Sequence, residues 1–159
     1  MVCREEGADV KDVKAMIVID SRINDDVFHQ EYEGFYRTAQ ETSFGGKEEK
    51  THMAVYTDYT GNAVTKNGLQ FTGEKLLLHR TGAIHGDLLL DPLEDTIFRY
   101  SAGMVEEQFR IQTSRYKVLC EDDKQIRIEA DYLMQGEHET EKSAHSITIR
   151  IIKKDVEKE

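Results

Sequence analysis

Arg80 closes the run Leu76-Leu77-Leu78-His79-Arg80, and its surroundings demand more of it than those of any other charged residue. A guanidinium in an apolar strand either reaches the rim of its sheet or points inward, where it needs a carboxylate or a ligand anion. Two readings follow. In the structural one, Arg80 pairs with Asp or Glu or caps backbone carbonyls at a strand end. In the functional one, it anchors an anion at the mouth of a cavity. His79, His85, Asp87 and Asp91 crowd the same stretch and suggest a metal or a hydrolase, but strand geometry resists both. Residues two apart share a face, so His85 and Asp87 align while His79 lies across the Gly82 break; zinc wants three or four ligands at about 2.0 to 2.3 Å. Solvated polar residues are the plainer reading, and no metal or other cofactor is expected.

Tyr56, Tyr59, Tyr100, Tyr116 and Tyr132 are the other group with chemical range. A buried tyrosine fills space and seeks a partner for its hydroxyl, so core filling competes with ligand stacking. The candidate ligand-binding residues are therefore Arg80, Tyr56, Tyr59, Tyr100 and Tyr132. No catalytic set stands beside them. Ser101, Ser114, Ser143 and Ser146 lack the G-x-S-x-G elbow, and neither G-x-x-x-x-G-K-[ST] nor G-x-G-x-x-G occurs. His138 and His145 have no partner spacing, and Cys120 reads as a small core residue.

These side chains must be carried by strands. Ile126, Ile128, Ala130, Tyr132 and Met134 alternate with Arg127, Glu129 and Asp131, the signature of a half-buried strand. The same period runs through Tyr116 to Cys120, His145 to Ile151 and Met53-Val55-Thr57-Tyr59. Ala15 to Ile19 and Val27 to Thr38 read as strands, with Gly34 marking a bulge or bend. Leu69 to Phe71, Leu76 to Arg80, Ile84 to Leu90, Thr96 to Tyr100 and Val105 to Thr113 complete the set, and Pro92 ends the Leu88-Leu89-Leu90 strand. Turns are expected at Gly61-Asn62, Thr72-Gly73-Glu74, Ser101-Ala102-Gly103 and Glu121 to Lys124, with Asn67-Gly68 as a further hairpin signal and Glu41 to Lys50 as a loop. About ten strands with sequential hairpins predict an all-β, single closed or nearly closed antiparallel up-and-down β-barrel, because closure removes exposed edges. The domain is expected over residues 13–153, with 1–12 a flexible N-terminal segment and 154–159 a charged tail.

The chain has 159 residues, enough for one core, with 21 Lys and Arg against 31 Asp and Glu, a net charge of −10. That surplus repels phosphate backbones and anionic membrane surfaces, so no nucleic-acid or membrane partner is expected. No run of 18 apolar residues and no signal-peptide pattern is present, which points to the cytoplasm; two cysteines, Cys3 and Cys120, are then expected reduced.

Residues 60–151 resemble the YwiB family, a small group of uncharacterised bacterial proteins placed among the calycin-like barrels. The resemblance is carried by Thr60-Gly61, Leu69-Gln70-Phe71, Gly73, Leu76 to Gly82 with its Arg80-x-Gly82 step, Tyr100-x-x-Gly103, Glu129 to Leu133 and Ser143-x-x-x-Ile147-x-Ile149. The chain departs from the family pattern at Val55-Tyr56, where an acidic pair stands in the family, and at Ala102, where a proline does. What the resemblance implies is a calycin- or lipocalin-like barrel; lipocalins hold apolar ligands inside, an analogy at the level of fold.

Two functions of different kind remain. One is a non-enzymatic module binding a small apolar or weakly anionic ligand, with Arg80 and tyrosines at its mouth. The other is a structural or interaction barrel with a filled interior, acting through a surface contact or as a homodimer. An enzyme ranks third. Interior volume separates the first two: about 300 Å³ or more favours binding.

Overall fold

The computed structural model describes residues 12–42, 48–120 and 123–154. Most of the expected N-terminal segment 1–12, the centre of the Glu41–Lys50 loop, part of the Glu121–Lys124 turn and the tail from 155 lie outside the described residues. Ten strands follow one another along the chain: β1 (Val13–Ile23), β2 (Asp26–Thr42), β3 (Glu48–Thr60), β4 (Ala63–Phe71), β5 (Leu76–Gly82), β6 (Ile84–Leu90), β7 (Thr96–Ala102), β8 (Val105–Cys120), β9 (Gln125–Gly136) and β10 (Ser143–Lys153). Each pairs antiparallel with its neighbours in sequence, and β1 closes the ring on β10 through pairs such as Ile17 with Ile151 and Ile19 with Ile149. The expected all-β closed up-and-down barrel is the observed architecture. No helix is long and apolar enough to cross a membrane among the described residues.

Alternation explains the wall. On β9, Ile126, Ile128, Ala130 and Tyr132 are buried, while Arg127, Glu129 and Asp131 face out into ion pairs: Arg115 with Glu129 and with Asp131, each at 2.9 Å. Such exposed pairs add little stability; burial of the inward row supplies most of it. The barrel has two unlike ends. Towards the β4–β5 turn, Phe71, Leu76, Leu90, Ile111, Ile126 and Ile151 are all at most 2 % exposed and fill the interior. Tyr116 seals that end, its hydroxyl donating to the carbonyls of Thr72 at 2.7 Å and Lys75 at 3.1 Å. The opposite end is ringed by the β1–β2, β3–β4, β5–β6, β7–β8 and β9–β10 connections, two of them turned by glycines at φ 62°, Gly61 and Gly103.

Four expectations are corrected. Asn67-Gly68 lies mid-strand in β4 and makes no hairpin; Asn67 pairs with Tyr56 and Arg80 on either side. The runs Val105 to Thr113 and Tyr116 to Cys120 form one strand with a bulge between Thr113 and Arg115, which moves the inward positions from odd to even numbers. Gly34 is not bulged, since it keeps register with Ala15 and Tyr56; a Cβ there would stand 2.1 Å from the Val55 carbonyl oxygen and 2.7 Å from Ile17, so glycine permits a close approach of β2 and β3. Cys120 is disulfide-bonded, not a reduced thiol, and Cys3, the chain's other cysteine, lies outside the described residues. That removes reduced cysteines as a support for a cytoplasmic setting.

Candidate functional site

A cavity of about 380 Å³ occupies the half of the barrel towards the β5–β6 connection. Its floor is aliphatic, made by Leu69, Leu78 and Ile149, and polar groups converge on it from Asn67, Asp58 and Arg80. Register explains the convergence. Tyr56, Asn67, Arg80, Gly86 and Tyr100 are successive partners across β3, β4, β5, β6 and β7, one inward row spanning half of the wall.

Among the described residues, Arg80 is the only Lys or Arg lining the cavity. Its Nε is buried without a hydrogen-bond partner, a costly state for a charged group's donor. No carboxylate among the described residues lies within ion-pair distance of it, so the pairing expected of a structural strand-end arginine is not seen. Burial raises the pKa of Tyr32, Tyr56 and Tyr132, which sit on β2, β3 and β9, and the Arg80 charge opposes that rise at all three. In a ring of ten strands, β3 and β9 are four apart by the shorter path, close to opposite walls.

Burial outweighs that effect and pushes the Tyr56 and Tyr132 phenols up to about 12, so both remain neutral hydrogen-bonding groups. Tyr32 is raised too, by burial first and then by Asp58, whose carboxylate accepts from its hydroxyl at 3.4 Å. Two stacked aromatic pairs line the walls: Tyr32 on Tyr56, with ring centroids 4.6 Å apart, and Tyr132 on His145 at 4.8 Å. Burial lowers the His145 pKa, which keeps the imidazole neutral near pH 7.

Of the residues singled out in the sequence, Arg80, Tyr56 and Tyr132 meet in this cavity. Tyr100 points inward on the same row but packs edge-on against Phe98 at 6.0 Å and lines a neighbouring cleft that shares Arg80 and Gly86 with the cavity. Tyr59 stands on the outer wall, 73 % exposed, because it lies three positions on from Tyr56 in one strand and period two sends them to opposite faces. By the same parity the row Met53-Val55-Thr57-Tyr59 faces out, and Asp58 shares the inward face with Tyr56. Asp58, Tyr32, Asn67 and His145 were not singled out by sequence reasoning; only Asp58 carried a signal, its even spacing from Tyr56.

His79 and Asp87 are cross-strand partners on the outer wall, where the imidazole Nδ1 hydrogen-bonds the carboxylate, and both are exposed. His85 is exposed beside them. No cluster of three or more His, Cys, Asp or Glu able to hold a metal occurs among the described residues.

The crystal structure of the YwiB protein from Bacillus subtilis shares this fold, with a TM-score of 0.76 over 92 % of this chain and 96 % of that one. Identity is 18 %, so the likeness speaks for fold alone. Comparison with curated proteins finds no match. The profile described as "Domain of unknown function (DUF1934)" matches residues 18–149, nearly the whole barrel, and the chain belongs to that family.

Proposed function

We propose that this barrel is a non-enzymatic binding module that holds one small ligand in its half-filled interior, in the manner of lipocalin-like barrels. The observation that carries the reading is the buried Arg80 Nε, left without a protein partner beside a cavity of about 380 Å³. Small-ligand sites typically span about 300 to 1,000 Å³ and combine apolar walls with a few fixed polar groups. Leu69, Leu78 and Ile149 supply such walls, and Arg80, Asn67 and the tyrosine hydroxyls supply the polar groups. An orphaned guanidinium donor is a standing cost that a bound anion would offset.

Native mass spectrometry of the protein purified from its own host tests this. A retained small molecule, released on denaturation, is the expected result; a clean apo mass contradicts it.

A surface-contact function has one observation in its favour. Phe35, Val55 and Tyr59 form an exposed outer strip, at 46, 45 and 73 % exposure, beside a groove over Gly68. An apo mass accompanied by a concentration-dependent dimer would favour that reading over the first.

A further inference from the structure

The cavity's charge, size and aromatic walls restrict what it can hold, and the restriction rests on the binding reading above. Charge comes first. Arg80 brings one positive charge and Asp58 one negative, with the tyrosines neutral, so the lining sums to zero and Arg80 is the one cation that an added negative charge can contact. A phosphate dianion would leave a charge unmatched beside Asp58, inside a chain of net charge −10. Phosphate sites also draw on clustered backbone N–H groups at helix ends or nests, and these cavity walls are strands whose N–H groups belong to the ladders. A planar carboxylate, by contrast, fits the guanidinium fork.

Size is next. A cavity of about 150 Å³ accommodates benzene. In proportion, 380 Å³ holds about 15 non-hydrogen atoms. Shape is set by the stacked pairs Tyr32–Tyr56 on β2 and β3 and Tyr132–His145 on β9 and β10, with β1 the one strand between the two pairs. Offset or edge contacts with such rings favour a flat aromatic body over a flexible chain.

From this juxtaposition we infer that the ligand is an aromatic monocarboxylate of one or two rings, its carboxylate on Arg80 and its ring system between the two aromatic pairs. Asn67, one strand from Arg80, donates its Nδ2 to the Thr65 carbonyl at 3.2 Å, which leaves its side-chain oxygen free to accept from a ligand hydroxyl or amide.

Isothermal calorimetry on the full chain tests the class with three probes of one shape: naphthalene-2-carboxylate, the uncharged naphthalene-2-carboxamide and 2-naphthyl phosphate. A charge-assisted contact predicts that the carboxylate binds about tenfold to a hundredfold tighter than the carboxamide, and also tighter than the phosphate. Arg80→Met, checked for folding by circular dichroism, should bring carboxylate and carboxamide to equal affinity. Equal affinity already in the wild type, or a preference for phosphate, overturns the class while leaving a ligand-binding barrel. Persistence of the carboxylate preference in a folded Arg80→Met variant overturns the anchor. Binding of none of the three overturns the inference and counts against the cavity as a binding site; the wild-type comparison decides even if the variant fails to fold.

Discussion

Arg80 and Gly86 face each other across the β5–β6 ladder, so the guanidinium lies opposite a residue with no side chain. The same glycine lies under the Phe98 ring, and a Cβ on it would stand 2.8 Å from both Phe98 Cε1 and the Arg99 carbonyl oxygen. Gly86 thus serves two neighbours at once, leaving lumen beside Arg80 and letting β6 and β7 come together where their ladder has only three pairs.

Gly86→Ala should therefore destabilise the barrel by about 1 to 3 kcal/mol, the usual cost of forcing an extra carbon into a packed site. Urea unfolding measures it. An unchanged midpoint would mean that the β6–β7 seam opens freely, and the steric account of Gly86 would fail.

Gly68 makes the opposite case. It sits mid-strand on the outer wall, where an added Cβ would meet only the His79 carbonyl oxygen at 4.0 Å. Gly68→Ala should leave stability unchanged or raise it by about 0.5 to 1 kcal/mol, since glycine in a strand interior carries an entropic cost. A clear loss would mean the backbone there needs glycine, as a hairpin turn would.

These two glycines show where the sequence was legible. Period two announced the strands and their closure, because inward and outward rows differ sharply in polarity, as on β9. Asn67-Gly68 misled because a dipeptide's turn preference is local, whereas ladders on both sides, to Tyr56 and Arg80, hold Asn67 extended. On β8 the switch from odd to even apolar positions was itself the mark of the bulge at Thr113 and Arg115. Of the site, Arg80 stood out because a charge interrupts a leucine run. Tyr32, Asn67 and His145 did not, since their meeting depends on registers between strands far apart in sequence.

Acid should weaken the barrel through His52. Its ring is 6 % exposed, stacks on Phe71 at 4.8 Å and has its Nδ1 hydrogen-bonded to the Tyr36 hydroxyl at 2.7 Å. Burial pushes its pKa down to about 4 from an unfolded value of 6.5. Between those values the unfolded chain binds more protons, so stability falls as pH drops from 6.5 to 4, by about 3 kcal/mol in all. His145, also lowered by burial, acts in the same direction. Exposed His29, raised first by its hydrogen bond to Asp20 and then by Glu31, works in a window above 6.5, where its contribution is lost as pH rises. Urea midpoints of wild type and His52→Gln from pH 7 to 4 give the check: the variant should show the shallower slope, and equal slopes would remove His52 from the account.

Tyr116→Phe should cost about 1 to 3 kcal/mol. It strands the Thr72 carbonyl that the hydroxyl now satisfies at the filled end, far from the cavity, while the Lys75 carbonyl keeps the Thr72 N–H at 3.0 Å. Thermal unfolding should drop accordingly while binding of naphthalene-2-carboxylate stays unchanged; an unchanged melting temperature would show that water takes over the Thr72 carbonyl.

The central claim is that Arg80 is kept for a ligand and does not hold the fold together. Chemical denaturation of Arg80→Leu, read beside calorimetric titration with naphthalene-2-carboxylate, tests it most directly. Replacing a half-buried cation whose Nε is unpaired with an apolar side chain should leave the unfolding midpoint unchanged or raised, while carboxylate binding falls about tenfold or more. A variant that loses most of its stability would instead make Arg80 a structural member of the barrel, and the anchor would be contradicted.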